Sequence, residues 1–254
     1  RQYFEDSTQR FDVLIMHDGQ NVFNAETAYG GIAWEVDSTV QALMDASAIK
    51  PIIVVGVWNT RRRYEEYCPE KPFKALGQQQ QDSLFRQYKL EEEMLADEYL
   101  WFLTAELYPF IKANYRVNIG PNHTRIMGSS MGGLISCYAL LEHPNVFGGA
   151  GCVSTHWPFA HEPGNHPFSK AMQQYIAERI TSVANNHLFY FDYGTATLDS
   201  LYEPHQLKVD SIVLNSSFNP ENYMSRKFEG AAHNEPSWKK RVHIPLEFLF
   251  GKGN

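Results

Sequence analysis

Cysteine is scarce in this chain: the sequence has three, Cys68, Cys137 and Cys152, among 254 residues. An odd and sparse set argues against a framework of disulfide bonds. Cys137 lies in a predicted apolar helix and Cys152 in a predicted apolar strand, so we expect both thiols to be small buried hydrophobic groups. The spacing of the cysteines is not that of metal ligands, so no cysteine metal site is predicted.

Long apolar runs and long basic runs are also missing. No stretch approaches the roughly 18 apolar residues of a membrane-spanning helix, so we predict no membrane partner. The longest run of lysine and arginine is Arg61–Arg63 and the net charge is −7, so we predict no nucleic-acid partner. With 43% hydrophobic and 20% charged residues, the composition is typical of a soluble globular protein.

The sequence also shows no signal peptide, internal repeat or coiled-coil heptad. It begins with Arg1 rather than methionine, so an upstream segment could have been removed. We therefore prefer a cytoplasmic location but keep a secreted or periplasmic one open, and the oligomeric state is also left open. The length suits a single α/β domain over residues 1–254.

Short apolar segments alternate with amphipathic ones along the chain. Apolar segments predict β-strands at residues 11–16, 51–57, 124–127, 147–153 and 187–192, and a sixth strand is predicted at residues 223–229. The segments between them predict helices at residues 34–45, 90–113, 131–142, 168–183, 203–214 and 238–250. This order predicts an α/β fold with a doubly wound, mainly parallel sheet and helices on both faces. Right-handed crossovers would then bring the strand carboxyl ends to one edge, where such sheets bind ligands.

The segment from Asn59 to Leu90 departs from this pattern because it is largely polar. It contains the arginine triplet, two prolines and the glutamine run Gln78–Gln81. We predict a lid or insertion at about residues 59–90, over the edge of the sheet. A disordered surface loop is the alternative for the glutamine run itself.

The strongest local motif is Gly128-Ser129-Ser130-Met131-Gly132, a G-x-S-x-G pattern. It is typical of a strand that turns sharply into a helix, with the central serine at the apex. Ser130 is the predicted nucleophile because only Ser130 has a glycine two residues away on both sides, which leaves Ser129 as the spacer. The Met131 N–H would then face a developing oxyanion.

A serine nucleophile needs a base within hydrogen-bond reach and an acid that orients the base. Of the ten histidines, His233 is preferred because it follows a predicted strand and is preceded by small residues. Asp199 and Asp192 both fit as the acid, and Asp199 is preferred because its loop gives the carboxylate reach. The order serine, acid, histidine along the chain is that of the α/β-hydrolases.

Turns after other predicted strands supply further candidates. A backbone N–H at Gln20, or as second choice at Gly19, would join the Met131 amide in an oxyanion hole. Five side chains at the same edge are predicted to contact the substrate: Asp18, Trp58, Asn59, His156 and Trp157. Aromatic rings suit sugar or aryl faces, and Arg61–Arg63 suit a carboxylate or another anionic group. The alternative for Trp157 is that it only packs the lid.

Several motifs together resemble those of a known family. They are Met16-His17-Asp18-Gly19-Gln20-Asn21-Val22-Phe23, Trp34-Glu35-Val36-Asp37, Tyr64-Glu65-Glu66-Tyr67-Cys68-Pro69, the serine motif with Gly133, Gly194-Thr195 through Asp199, and Ala232-His233-Asn234-Glu235 with Trp238. With them the chain resembles the putative-esterase family of α/β-hydrolases, which groups enterochelin-esterase-like, feruloyl-esterase-like and esterase-D-like enzymes. The resemblance covers residues 11–250.

The resemblance implies an α/β-hydrolase fold and a serine esterase without metal or other cofactor, with Ser130, Asp199 and His233 as nucleophile, acid and base. Two features depart from the family pattern. Family members usually carry an antiparallel β-hairpin before the first strand seen here, and this sequence begins too late to show all of it. The spacing from Gly194 to the acid is longer than in some relatives, which keeps Asp192 open.

The expected function is hydrolysis of small-molecule esters through an acyl-enzyme, with sugar-linked or siderophore-type esters as the leading substrates. An acyltransferase of the same fold is the first alternative, because an alcohol could replace water as the acceptor. A non-catalytic binding module is a weaker alternative, because all three residue types of the catalytic set are present.

Overall fold

The computed structural model describes residues 2–90, 93–161, 164, 166–183 and 186–252. Its strands are β1 Asp12–Met16, β2 Ile52–Gly56, β3 Thr124–Ser129, β4 Gly149–Val153, β5 Leu188–Ala196 and β6 Tyr223–Ala232. They form a six-stranded sheet in the order β2-β1-β3-β4-β5-β6, and every neighbouring pair is parallel. The predicted α/β-hydrolase fold class is confirmed.

Helices and shorter helical turns join the strands. The α-helices are Gln2–Glu5, Val36–Asp45, Arg63–Tyr67, Glu70–Lys74, Gln78–Tyr88, Ala96–Trp101, Tyr108–Asn114, Met131–Glu142, Pro167–Arg179, Glu203–Leu214, Glu235–Arg241 and His243–Phe250. The 3-10 turns are Gly19–Asn21, Tyr29–Gly31, Pro121–His123, Ile180–Ser182, Thr197–Leu201 and Pro220–Asn222, and the segment Phe102–Leu107 is π-helical. In the described ranges no helix is long and apolar enough to cross a bilayer.

Helices on both faces of the sheet enclose two hydrophobic cores. In β1, Val13 and Ile15 pack into one core, whereas Leu14 and Met16 pack into the other, because successive strand residues point to opposite faces. All five residues of β1 are buried, as expected for a parallel strand covered on both faces. The three cysteines are buried and free, Cys68, Cys137 and Cys152.

The predicted helix at residues 90–113 is shorter and irregular in the structure. Residues 91 and 92 lie outside the described residues, and the helix begins at Ala96. It then widens into the π-helical segment Phe102–Leu107 before Pro109. Proline has no N–H and its ring crowds the preceding turn, which favours a widened turn at this point.

The predicted helix at residues 238–250 is two helices in the structure. The first ends at Arg241 and the second begins at His243. Pro245 explains the break, because it has no N–H to donate to the carbonyl of Arg241 four residues earlier.

The predicted insertion at residues 59–90 carries three α-helices. The glutamine run opens the helix Gln78–Tyr88, so the alternative of a disordered loop is wrong. Phe73 is buried in one of the two hydrophobic cores, and the Tyr88 ring lies 4.8 Å from the ring of Phe159. The segment is therefore attached to the fold by its own apolar residues.

The strand order changes direction at β1, because β2 lies on one side of it and β3 on the other. The carboxyl ends of β1 and β3 flank the crevice where open α/β sheets bind ligands. β1 leads to Asp18 and β3 leads directly to Ser130. The fold therefore places the serine motif beside the turn that follows the first strand.

Candidate active site

Ser130 stands at the sharp turn between β3 and the helix Met131–Glu142. Its backbone has φ 58° and ψ −120°, a conformation that is costly for a residue with a Cβ atom. The Ser130 N–H donates to the Val153 carbonyl at 2.9 Å, which ties the turn to β4. A Cβ atom on Gly128 would lie 3.0 Å from the Gly132 backbone. Glycine is needed at the turn because these two backbone segments touch.

Three side chains from separate loops form one hydrogen-bonded line at this turn. Ser130 Oγ lies 3.0 Å from His233 Nε2, and His233 Nδ1 lies 2.5 Å from Asp199 Oδ1. An ionised carboxylate only accepts hydrogen bonds, so Nδ1 carries the ring proton and Nε2 can accept the serine proton. The structure thus brings together the three residues that the sequence selected as nucleophile, base and acid.

Asp199 is fully buried and its two carboxylate oxygens have different partners. Oδ2 accepts hydrogen bonds from the Gly194 N–H and the Ser154 hydroxyl, both at 2.6 Å. Oδ1 is left to accept from His233. The loop of Asp199 also holds the histidine backbone, because Thr197 Oγ1 accepts from the His233 N–H at 2.8 Å.

Asp192, the alternative acid, has Arg241 as its partner instead of His233. Arg241 donates to Oδ1 at 2.9 Å and to Oδ2 at 3.2 Å. The Ser154 N–H and the Tyr190 hydroxyl complete the contacts of this carboxylate. Burial raises the pKa of Asp192, although the charge of Arg241 acts in the opposite direction. Asp192 therefore forms a buried ion pair beneath the loop of Asp199.

The His233 ring is held between two aromatic side chains. Its centroid lies 5.6 Å from that of Tyr202 and 4.9 Å from that of Trp238, with interplanar angles of 83° and 84°. Trp238 Nε1 also donates to Ser154 Oγ at 3.0 Å. Edge-to-face packing of this kind restricts the ring to one orientation, here the one that faces Ser130.

Backbone N–H groups near Ser130 differ in their availability. Met131 is the first residue of its helix, so its N–H has no carbonyl partner within the helix. The Gly19 N–H donates to the Val57 carbonyl at 2.7 Å. Its proton is already used, so the prediction of Gly19 as an oxyanion donor is corrected. Gln20 lines the same cavity as Ser130 and is left as the candidate from this turn.

An open cavity of about 450 Å³ lies over Ser130. Its wall combines polar side chains, among them Asp18, Gln20, Asn59, Arg63, His233 and Glu235, with the aromatic side chains of Tyr29, Tyr64 and Trp238. Asn59, Arg63 and Tyr64 come from the start of the predicted insertion, so that segment forms part of the wall. Burial raises the pKa of the half-buried Glu235 carboxyl.

Asp18 and Arg63 form a two-point ion pair in this wall. Arg63 Nε and one terminal guanidinium nitrogen each lie 2.7 Å from an Asp18 carboxylate oxygen, and Asn59 donates to the same carboxylate at 2.5 Å. Burial would raise the pKa of Asp18, but the charge and hydrogen bonds of Arg63 hold it below its usual range. The Arg63 charge is thus neutralised within the protein, so the prediction of an arginine free for an anionic group fails at Arg63.

Three of the predicted substrate contacts lie outside the cavity. Trp157 is 1% exposed, and its Nε1 donates to Gln206 at 2.8 Å, so it packs in the interior. His156 is 2% exposed and its Nδ1 lies 2.7 Å from the Tyr202 hydroxyl. Trp58 is 62% exposed but lines a neighbouring groove. Both His156 and Trp157 follow β4 into the interior, which the position of a strand end alone does not predict.

Several residues at the site were missed from the sequence. Ser154 donates a hydrogen bond to Asp199, Tyr202 packs against His233, and Arg241 donates to Asp192. Ser154 follows the end of β4, and that position was the one available signal for it. Among the residues that the structure describes, no group of three or more His, Cys, Asp or Glu side chains could hold a metal ion.

Comparison with protein-family models matches residues 1–243 to the family described as putative esterase. The chain belongs to the putative esterase family. Membership supports ester hydrolysis as the activity of the protein and small-molecule esters as its substrates.

Individual relatives of this putative esterase are distant. It is 24% identical over 257 residues to the uncharacterized protein YbbA of Bacillus subtilis (strain 168), which covers 95% of this chain and 86% of that protein. Its fold is similar to that of a ferulic acid esterase, with TM-score 0.66 and 15% identity over 98% of this chain and 89% of that one. It is also similar to an IroE-like serine hydrolase from Shewanella oneidensis, with TM-score 0.67 and 17% identity over 98% and 72% of the two chains.

Proposed function

We propose that the protein is a serine carboxylic-ester hydrolase that acts through an acyl-enzyme. The observation that carries the proposal is the line of hydrogen bonds from Ser130 through His233 to Asp199 at the wall of the cavity. Ser130 Oγ attacks the ester carbonyl while His233 Nε2 takes its proton. Asp199 keeps the Nδ1 proton in place and stabilises the imidazolium that forms.

The same groups complete the cycle in the proposed mechanism. The imidazolium of His233 protonates the leaving alcohol, and His233 then takes a proton from the water that attacks the acyl-enzyme. Donors to the oxyanion are the N–H of Met131 and the N–H of Gln20. Proton transfer by a positioned base contributes ~10²–10⁴-fold to the rate, and one oxyanion donor contributes ~10²–10³-fold.

We place the substrate among small polar esters, such as sugar-linked or siderophore-type esters. The wall of the cavity supports this choice, because it offers hydrogen-bonding groups at Gln20, Asn59 and Glu235 beside the aromatic rings of Tyr29, Tyr64 and Trp238. The internal pairing of Arg63 with Asp18 argues against an anionic acyl or alcohol group beside it. We further propose that residues 59–90 are an insertion of the single domain that closes one side of the site.

The first test is replacement of the nucleophile by Ser130→Ala. We expect turnover of p-nitrophenyl acetate to fall by about 10⁴- to 10⁶-fold, with a residual rate from the oxyanion donors, while circular dichroism shows an unchanged fold. The matched control is Ser136→Ala, which removes a buried serine hydroxyl that donates to the Gly132 carbonyl on the same helix and should keep most activity. Turnover by Ser130→Ala at the wild-type rate would refute the assignment of the nucleophile.

The second test is a substrate panel of acetyl, feruloyl, catecholate and long-chain acyl esters. We expect kcat/KM to be highest for the short or hydroxylated members, because the cavity wall presents hydrogen-bonding side chains among its aromatic rings. A preference for the long-chain apolar esters would contradict the substrate class but not the nucleophile.

A further inference from the structure

Ser154 is a fully buried serine in the segment that follows β4. Its backbone lies in the left-handed region, with φ 43°, a conformation that is uncommon for a residue with a Cβ atom. The Ser154 N–H donates to the Asp192 carbonyl at 2.9 Å and lies 3.1 Å from Asp192 Oδ1. These contacts with β5 fix the backbone of Ser154, and its side chain then points at the loop of Asp199.

Among the described residues, three side chains form hydrogen bonds with the Ser154 hydroxyl, and two of them can only donate. Trp238 Nε1 lies 3.0 Å from Ser154 Oγ, and Arg241 Nη2 lies 2.8 Å from it. An indole and a guanidinium have no acceptor atom, so these two donors occupy both lone pairs of the hydroxyl. The third partner is Asp199 Oδ2 at 2.6 Å, which therefore receives the hydroxyl proton.

This directed proton favours one orientation of the Asp199 carboxylate. Oδ2 accepts from Ser154 and from the Gly194 N–H, so Oδ1 is the oxygen that faces His233 Nδ1. A hydroxyl donor at Oδ2 also withdraws part of the negative charge from the carboxylate, and burial strengthens this effect. Ser154 therefore acts on both the direction and the charge of the group that supports the base.

Arg241 supports Ser154 from the far side of the hydroxyl. Its Nη2 also donates to Asp192 Oδ1 at 2.9 Å and lies 3.9 Å from Asp199 Oδ2. A buried ion pair is costly to desolvate. Here the pair supplies an anchored donor that polarises the Ser154 hydroxyl toward Asp199.

We propose that Ser154 is a positioning residue of the catalytic set, whose hydroxyl proton keeps Asp199 Oδ1 directed at His233 and limits the negative charge beside the ring. The inference rests on the proposed function, in which His233 is the base for Ser130. Ser154 contacts the far oxygen of Asp199. Its effect therefore reaches Ser130 only through Asp199 and His233, which makes the inference testable.

Ionisable side chains face Asp199 and His233 from several elements: Arg241, Asp192, Tyr202, His156, Glu235 and the Asp18–Arg63 pair across the cavity. Burial keeps the Tyr202 phenol and the His156 imidazole neutral, because it raises the pKa of the first and lowers the pKa of the second. Replacement of Ser154 by alanine removes none of these groups. A change in the pH profile of that variant therefore reports the lost hydrogen bond.

Ser154→Ala removes the hydroxyl and keeps the Cβ atom, so the left-handed backbone is no more strained than before. Asp199 then loses one of the two donors that hold Oδ2, and we expect kcat/KM for p-nitrophenyl acetate to fall about 10-fold at its plateau. More negative charge remains on the carboxylate and stabilises the imidazolium of His233. The pH midpoint of kcat/KM, measured from pH 5 to 9, should therefore rise by about 0.5–1 unit.

Ser169→Ala is the matched control, because Ser169 is also buried and its hydroxyl lies 2.7 Å from a different imidazole, that of His205. The pH midpoint of this variant should stay at the wild-type value. Ser154→Cys keeps a weak donor, so it should recover part of the activity and shift the midpoint less than Ser154→Ala. If Ser154→Ala does not fold, the midpoint of Ser154→Cys against that of the wild type carries the test.

A double variant tests whether Ser154 acts through Asp199. In the background of Asp199→Asn, the change Ser154→Ala should lower kcat less than about 2-fold, because the carboxylate through which Ser154 acts is already gone. A residue that only fills space in the core would lower kcat equally in both backgrounds.

The inference is overturned if Ser154→Ala has the pH midpoint of the wild type, or if it loses as much activity in the Asp199→Asn background as in the wild type. Labelling with a fluorophosphonate separates this failure from that of the proposed function. A wild-type protein that labels at Ser130, with an unchanged midpoint in Ser154→Ala, contradicts only the role of Ser154. A wild-type protein that does not label at Ser130 contradicts the acyl-enzyme mechanism as well.

Discussion

Asn substitution at the two buried aspartates, Asp199 and Asp192, should produce opposite defects. At Asp199, Oδ2 accepts from two donors, Gly194 and Ser154. The amide oxygen of Asn will occupy that position, so its NH₂ group will face His233 Nδ1. A donor at this place forces the ring proton onto Nε2, which can then no longer accept the proton of Ser130. We expect kcat to fall about 10⁴-fold, or ~5 kcal/mol of transition-state stabilisation.

The effect of Asp192→Asn on stability follows from the buried charge of Arg241. Both carboxylate oxygens of Asp192 accept from this guanidinium, and both side chains are almost fully buried. Removing the negative charge leaves a buried cation without its main partner. Breaking a buried ion pair in this way costs about 3–5 kcal/mol of folding free energy. The carboxylate of Asp199 keeps its contact with His233, so kcat of the folded protein should stay within about 10-fold of wild type.

The assay is kcat for p-nitrophenyl acetate together with urea unfolding of each variant at pH 7. Asp199→Asn should lose activity with a smaller change in the free energy of unfolding, and Asp192→Asn should show the reverse. If Asp192→Asn lost as much activity as Asp199→Asn while its stability stayed at the wild-type value, Asp192 would be the acid and the geometric argument would fail.

Two further predictions concern the serine turn and the dependence of stability on pH. Gly128→Ala should cost about 1–3 kcal/mol of folding free energy, because the new Cβ would lie 3.0 Å from the Gly132 backbone. Gly132→Ala should cost less, because its Cβ would lie 3.4 Å from His17 Cβ. Equal urea midpoints for the two variants would contradict this. Burial lowers the pKa of His17 from 6.5 to about 3, so stability is complete above pH 6.5 and falls below it. The free energy of unfolding falls by up to ~1.4 kcal/mol per pH unit. Urea unfolding at pH 7 and pH 5 should show a weaker dependence of stability on pH in His17→Asn than in the wild type. An equal dependence in the two proteins would contradict this prediction.

Motifs that depend on short-range rules were predicted correctly from the sequence. The errors in the bounds of the helices predicted at residues 90–113 and 238–250 have a local cause. The six strands lie close to their predicted positions. The apolar run of β1 is that expected for a parallel strand covered on both faces. A strong helical pattern predicted one helix at residues 238–250, although Pro245 is visible in the sequence. The structure has two helices there, because Pro245 cannot donate to the carbonyl of Arg241. The glutamine run was helical because Phe73, Phe85 and Tyr88 anchor the insertion.

Side-chain directions at the strand ends were read less well. His156 and Trp157 follow β4 at the correct edge of the sheet, yet both are buried in the interior. Trp58 and Asn59 are neighbours in sequence, but only Asn59 lines the cavity. A strand end fixes the region in which a residue lies to within several ångströms, whereas contact with a cavity depends on the direction of a single side chain.

The sequence by itself determined the order of strands and helices, the serine turn with its required glycines, and the candidates for acid and base. These follow from local sterics and from the apolar periodicity of the chain. Only the tertiary structure separated Asp199 from Asp192, because the choice depends on which carboxylate lies within hydrogen-bond distance of His233. It alone joined His156 to the serine turn and to Tyr202, because the segments that follow β3, β4 and β5 meet only when these strands pair side by side.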